Sequence, residues 1–144
     1  QPDIFPDKLE SGTLNAPAIS AMGKSIQFIN EVGLENIRKK DEELISYFIE
    51  NIKDLEGVRI YNFDINKTSS VVSINIKDYQ SSDIEDYLSN EYNIITRSGL
   101  HCAPMVHKSM NTLKTGMVRF SFSYFNTKDE IDLVVKAIKE IVEK

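Results

Sequence analysis

Cysteine occurs once in this chain, so no disulfide framework can staple it, and its stability must come from an ordinary hydrophobic core. A lone thiol also fits a reducing compartment, and a cytoplasmic location is the expectation. No apolar run approaches the roughly 20 residues that a bilayer-spanning helix needs. Basic residues are in deficit: 17 lysines and arginines against 22 acids leave a net charge of −5. No basic stripe reverses that balance, which excludes nucleic acid as the expected partner. Two histidines and one cysteine at no recognised ligand spacing exclude a metal centre. Internal repeats and low-complexity tracts are absent.

What remains is 144 residues, one domain by length and enough for a core without staples. Its 41% hydrophobic and 27% charged content are ordinary for a soluble globular chain. The start is abrupt, since Gln1 to Pro6 reads neither as a signal peptide nor as a capped element. The chain is therefore expected to be cut from something longer.

Pro2, Pro6 and Gly12 predict an extended arm with a turn over residues 1–14. Asn15 as N-cap and Pro17 in the first turn open a helix that carries Ala18, Met22, Ile26 and Ile29 at helical spacing and ends at Gly33. A second helix is predicted from about Leu34 to Leu55, with Ile37, Leu44, Phe48 and Ile52 on one face. The run Arg38-Lys39-Lys40-Asp41-Glu42-Glu43 reads as its solvated side, and Gly57 as its stop. Beyond Gly57 the period changes to two. Val58 to Tyr61 and Ser70 to Ile76 read as strands, the latter with Val72, Ile74 and Ile76 inward; Asn62 to Ser69 reads as a loop. Ser82 and Glu85 have capping-box spacing at the start of a third helix that turns Ile84 and Leu88 inward and ends near Glu91.

Asn93 to Thr96 suits a short strand, and Val106 to Met110 a short helix before a turn at Gly116. Met117 to Tyr124 is the clearest strand, with Val118, Phe120, Phe122 and Tyr124 on one face and Arg119, Ser121 and Ser123 on the other. Thr127 and Glu130 then form a capping box for a last helix carrying Ile131, Val134, Val135, Ile138, Ile141 and Val142. The expected fold is α+β: a small, mainly antiparallel sheet of three to four strands with helices covering one face.

The chemistry-bearing stretch is Arg97-Ser98-Gly99-Leu100-His101-Cys102-Ala103-Pro104. A thiol beside imidazole and cationic neighbours can become a nucleophile. A single cysteine is equally read as an inert small hydrophobe, and spacing alone leaves the two readings even. Arg119 stands either on a solvated sheet face or as a planar fork for a carboxylate. Arg97 could do the same or simply carry surface charge. His107-Lys108 suggests a Schiff-base lysine, but nothing nearby would desolvate Lys108, and the pair reads as surface.

That same stretch resembles the active-site cysteine segment of the cysteine desulfurases, in the branch shared with selenocysteine lyases. These are class V aminotransferase relatives among the fold type I pyridoxal-phosphate enzymes. Glu10-Ser11-Gly12-Thr13-Leu14-Asn15 looks like the family's E-x-G-T-x-N turn, with Leu14 where proline is common. Val118-Arg119-Phe120-Ser121 is similar to its V-R-x-S strand. Tyr124-Phe125-Asn126-Thr127 with Glu130-Ile131-Asp132 is similar to its Y-N-T-x-x-E-I-D helix start. The resemblance covers essentially the whole chain, although residues 105–116 depart from the pattern.

The resemblance implies a C-terminal small domain over residues 16–144, entered by an arm over 1–15, with a large domain carrying the cofactor-binding lysine elsewhere. It implies release of sulfur from L-cysteine, giving L-alanine and a persulfide on Cys102, for sulfur transfer such as Fe–S cluster assembly. Arg119 would bind the substrate carboxylate with Arg97 as helper, and His101 would be accessory. Thr13 and Gly12 would meet the pyridoxal phosphate of the neighbouring subunit in a homodimer. The cofactor is not expected on this chain alone, which would be inactive by itself. L-cysteine or selenocysteine would be substrate, and a sulfur-acceptor protein a partner. The alternatives are a selenocysteine lyase, an aminotransferase or an epimerase of the same superfamily, or a stand-alone binding module.

Overall fold

A computed structural model describes residues 2–10, 12–61 and 70–144. The loop expected at residues 62–69 lies outside the described residues. Two compact units divide the chain, Gln1–Ile37 and Arg38–Lys144.

In the first unit a short 3-10 turn at Asp7–Leu9 precedes helix α1, Ala16–Val32. The Asn15 side chain accepts from the Ala18 amide at 3.1 Å, and Gly33 ends the helix at φ +86°. Both ends therefore follow the predicted cap chemistry. The apolar stripe behaves otherwise. No residue of α1 is buried, and Met22 and Ile26 are 59% and 51% exposed. Periodicity marks which residues could face inward, but it does not supply the surface they face.

Helix α2, Leu34–Ile52, stops five residues before Gly57. Its buried positions Leu44, Ile45, Phe48, Ile49 and Ile52 begin only after the charged run. That run is less solvated than expected: Asp41 accepts from Ser70 Oγ at 2.5 Å, and Glu43 pairs with Lys128 at 2.8 Å. The strands β1 (Val58–Tyr61), β2 (Val71–Ile76) and β3 (Val118–Ser121) form one antiparallel sheet in the order β1-β2-β3. Ile74 of the central strand stands opposite Ile60 on one side and Val118 on the other.

Helix α3, Ser81–Tyr92, ends with Asn93 in the left-handed region, its amide returning to the Leu88 and Ser89 carbonyls. The capping box expected from Ser82 and Glu85 does not form. Ser82 Oγ lies against Asp83, and the Glu85 carboxylate is taken by Ser98 from a distant loop. Helix α4, Pro104–Ser109, is short, and α5, Lys128–Glu143, closes the chain. The α5 box does form: Glu130 N donates to Thr127 Oγ1 at 3.3 Å, and Thr127 N donates to Glu130 Oε2 at 2.9 Å.

One core gathers α2, the sheet, α3 and α5 around Phe48, Ile74, Leu88, Val118 and Ile138. Each such side chain contributes roughly 1.5–3 kcal/mol by leaving water. The architecture is the expected α+β type, with three strands and helices packed on the sheet.

Candidate active site

The site begins with a register. Val118 and Phe120 of β3 are buried in the core, so strand alternation sends Arg119 to the opposite face. Arg97 stands directly across from it, in a bridge made by Arg119 N to Arg97 O at 2.8 Å and Arg97 N to Arg119 O at 3.3 Å. The strand expected at Asn93–Thr96 does not form; the pairing is confined to this single bridge, one residue beyond it. A hydrogen-bonded antiparallel pair places both side chains on one face, and like charges there repel. No carboxylate among the described residues pairs with either arginine. Arg119 Nε is buried and has no hydrogen-bond partner among the described residues. Such a group costs free energy until an acceptor reaches it. Two adjacent guanidinium groups with a spare buried donor suit a planar anion such as a carboxylate.

From Arg97 the chain leaves the sheet through a sequence of anchored turns. Ser98 Oγ donates to Glu85 Oε2 of α3. Gly99, at φ +94°, donates its amide to Ser81 Oγ at 3.0 Å and accepts from Met117 N at 3.1 Å. Ala103 N then closes a turn on Leu100 O at 2.8 Å, with His101 (φ +51°) and Cys102 (φ +56°) at its centre. Two successive positive φ values define the type I′ geometry that normally selects asparagine and glycine. The thiol-bearing residue is exposed at this turn, and Pro104 immediately starts α4.

His101 Nε2 lies 3.1 Å from Arg97 O. A carbonyl only accepts, so Nε2 carries the proton and Nδ1 keeps its lone pair in the neutral ring. Burial pushes the His101 pKa below the usual histidine value, and the electrostatic influence of Arg119, His107 and Arg97 pushes the same way, against the raising effect of the Arg97 carbonyl. His107, read from the sequence as surface, is buried. Its ring packs 5.7 Å from that of His101, and its Nδ1 lies 2.9 Å from Thr112 Oγ1. The short helix α4 turns this residue inward, a placement no periodicity over six residues could reveal. Lys108 is exposed, as expected.

The structure thus carries Arg97, His101 and Cys102 on one segment and bridges that segment to Arg119 of β3. Gly12 and Thr13 belong to the first unit. Gly12 is at φ +85° with no atom of the described residues, its chain neighbours aside, within 4 Å of where a Cβ would stand, and Thr13 is exposed. An open left-handed glycine beside an exposed hydroxyl fits the approach of a phosphate group. Residues that sequence reasoning passed over are Ser81, Glu85 (misassigned to a cap) and the buried Asn75.

A cleft of about 320 Å³ opens elsewhere, between Ile94–Ile95, the end of β3 and α5. It is lined by none of the candidate site residues Arg97, His101, Cys102, Arg119, Gly12 or Thr13, and the carboxylate of Glu130 in its wall is committed to the α5 cap. Among the described residues no cluster could hold a metal ion, and no helix is long and apolar enough to cross a membrane.

Known proteins similar to this chain include cysteine desulfurases. A probable cysteine desulfurase of Borreliella burgdorferi is 32% identical over 140 residues, 96% of this chain and 33% of that protein. One from Methanothermobacter thermautotrophicus is 32% identical over 138 residues, 95% of this chain and 34% of the relative. The chain therefore spans about a third of the length of the curated relatives it matches. Among solved structures, the apo cysteine desulfurase of Thermococcus onnurineus NA1 superposes with a TM-score of 0.87 at 29% identity, over 96% of this chain and 34% of that one. The cysteine desulfurase CsdA of Escherichia coli, in its S-sulfonic acid form, gives 0.83 at 25%, over 96% and 33%. The family model for class-V aminotransferases matches residues 3–134, and the chain belongs to that family.

Proposed function

We propose that this chain is the cysteine-bearing small domain, residues 16–144 with an entering arm over 1–15, of a pyridoxal-phosphate-dependent cysteine desulfurase. The observation that carries the reading is the exposed Cys102 on a strained turn beside the Arg97–Arg119 pair, which no carboxylate of the described residues neutralises. Arg119 holds the carboxylate of L-cysteine, with Arg97 as helper; the bound anion supplies an acceptor for the orphaned Nε and relieves the repulsion between the two cations. Fixing the substrate there leaves its sulfur to be met by Cys102. The Cys102 thiolate forms a bond to the substrate sulfur as the carbon–sulfur bond breaks. Thiolate plus cysteine becomes persulfide plus alanine; the electron pair of the broken bond stays with carbon, which gains a proton to complete the alanine methyl, and the substrate thiol loses one. Pyridoxal phosphate, when bound, supplies the electron sink that makes this cleavage possible. Gly12 and Thr13 suit its phosphate, in the reading where they reach the neighbouring subunit of a homodimer.

His101 holds the turn through the Arg97 carbonyl and takes an accessory part. Lys108 is exposed and lacks the dry pocket that a cofactor-binding lysine needs. The 144-residue chain alone is accordingly proposed to be inactive, with the persulfide passed on to an acceptor protein in the cytoplasm once the enzyme is complete. In the complete enzyme, cysteine-dependent release of alanine and sulfide is expected, and Cys102→Ala should abolish both. Alanine production that survives Cys102→Ala would overturn the nucleophile assignment.

A further inference from the structure

The strained turn is held from outside the motif that contains it. Successive residues of the loop, Ser98 and Gly99, are gripped by Glu85 and Ser81, which lie four apart on the first turns of α3. Residues four apart share one helix face, so the two grips act as one device. Ser81 is 3% exposed, and its own amide donates to Thr115 O at 2.9 Å. Gly116 seals the joint. A Cβ there would stand 2.5 Å from Ser81 Oγ and 2.8 Å from Gly99 Cα, and its carbonyl accepts from buried Asn75 Nδ2 at 2.9 Å.

We propose that Ser81 and Glu85 are positioning residues that clamp the base of the cysteine turn and thereby set the direction of the Cys102 thiol. The inference rests on the desulfurase reading above. Two adjacent non-glycine residues at positive φ are each disfavoured and persist only where the surroundings over-determine them. The clamp supplies that restraint three and four residues upstream of the thiol. Because the Arg97–Arg119 bridge is made by the sheet backbone, loss of the clamp leaves the carboxylate site in place while the nucleophile wanders. A misplacement of about 1 Å can cost about 100-fold in rate.

Glu85 is half-buried, so Glu85→Ala should fold. In the complete enzyme this variant is expected to lower kcat for alanine release by about 10- to 100-fold, with KM for cysteine changed less than about threefold. Glu85→Gln keeps an oxygen that accepts from Ser98 and should recover most of the rate. In the 144-residue chain, Ser81→Ala should speed amide hydrogen exchange at Gly99 and Ala103 more than about tenfold, leaving Phe120 unchanged. A Glu85→Ala enzyme with wild-type kcat, or a Gln variant as slow as Ala, would overturn the proposal. So would unchanged exchange at Gly99 and Ala103. Failure of the wild-type enzyme to release alanine would instead count against the desulfurase reading, and the exchange result would still decide whether the clamp exists.

Discussion

Helices α4 and α5 begin on either side of β3 by opposite means. α5 starts with Thr127 in extended conformation and a reciprocal capping box, and it buries six apolar residues. α4 starts at Ala103–Pro104 with no side-chain cap, straight out of a turn whose two central residues sit at positive φ. Every local preference at α5 agrees with the final fold. At α4 several are violated at once, and the violation falls on the only cysteine. Agreement across levels marks where a chain is built to be stable, and local conflict marks where it is built to act.

The first way to test that contrast is to damage the compliant end. Thr127→Ala removes the acceptor for Glu130 N and one half of the box. Loss of such a cap costs about 0.5–2 kcal/mol, read as a lower urea midpoint at unchanged slope. The reactivity of Cys102 toward a small alkylating reagent should not change, since the hydrogen bonds of the box stay among Asn126, Thr127 and Glu130. A changed thiol rate would mean that the two helix starts are coupled.

The converse test relieves the strained end. Cys102→Gly places at φ +56° the residue that occupies this region without penalty. A gain of about 0.5–1 kcal/mol in unfolding free energy is expected, reduced by the greater freedom of glycine in the unfolded chain. Stabilisation by deleting the reactive group would show that the turn is held for chemistry rather than for the fold. Destabilisation would place the restraint in the thiol's own contacts.

The same contrast explains what could be read in advance. The caps of α1 and α5, the inward faces of β2 and α5 and the antiparallel sheet follow from local periodicity and turn chemistry, and the structure carries all of them. Cys102 and the two arginines stand out because their residue types are out of place on a loop and a strand. Ser81 and Glu85 do not, because a serine and a glutamate at the start of a helix already have an ordinary explanation as caps. Only the tertiary path that brings Ser98 and Gly99 against α3 reassigns them. The burial of His107 was hidden for a related reason, since its inward face depends on how one short helix leaves the turn. The exposed stripe of α1 shows the reverse failure, a pattern with no surface supplied for it within its own unit.

The smallest expected effect is the pH dependence that His101 adds to the strained region. Its folded pKa lies below the unfolded value of about 6.5, chiefly through burial and then through the neighbouring cations. Over the interval between those two values the unfolded chain binds more protons than the folded one, so stability rises with pH there. Acidification from pH 7.5 toward 5.5 should therefore lower the urea midpoint, before the carboxylates contribute. Glu130 and Glu140 have lowered folded pKa values, held by hydrogen bonds from Asn126 and from Tyr92 respectively, so their stabilisation is lost only as pH falls below about 4.5. His101→Gln removes the titration and keeps a side-chain amide that can donate to the Arg97 carbonyl, so its midpoint should fall less over the same interval. If the variant instead fell more steeply than the wild type, His101 would be stabilised as a cation in the folded state. The turn would then be held by charge rather than by burial against His107, and the arginine pair beside it could not be the unneutralised site that the geometry describes.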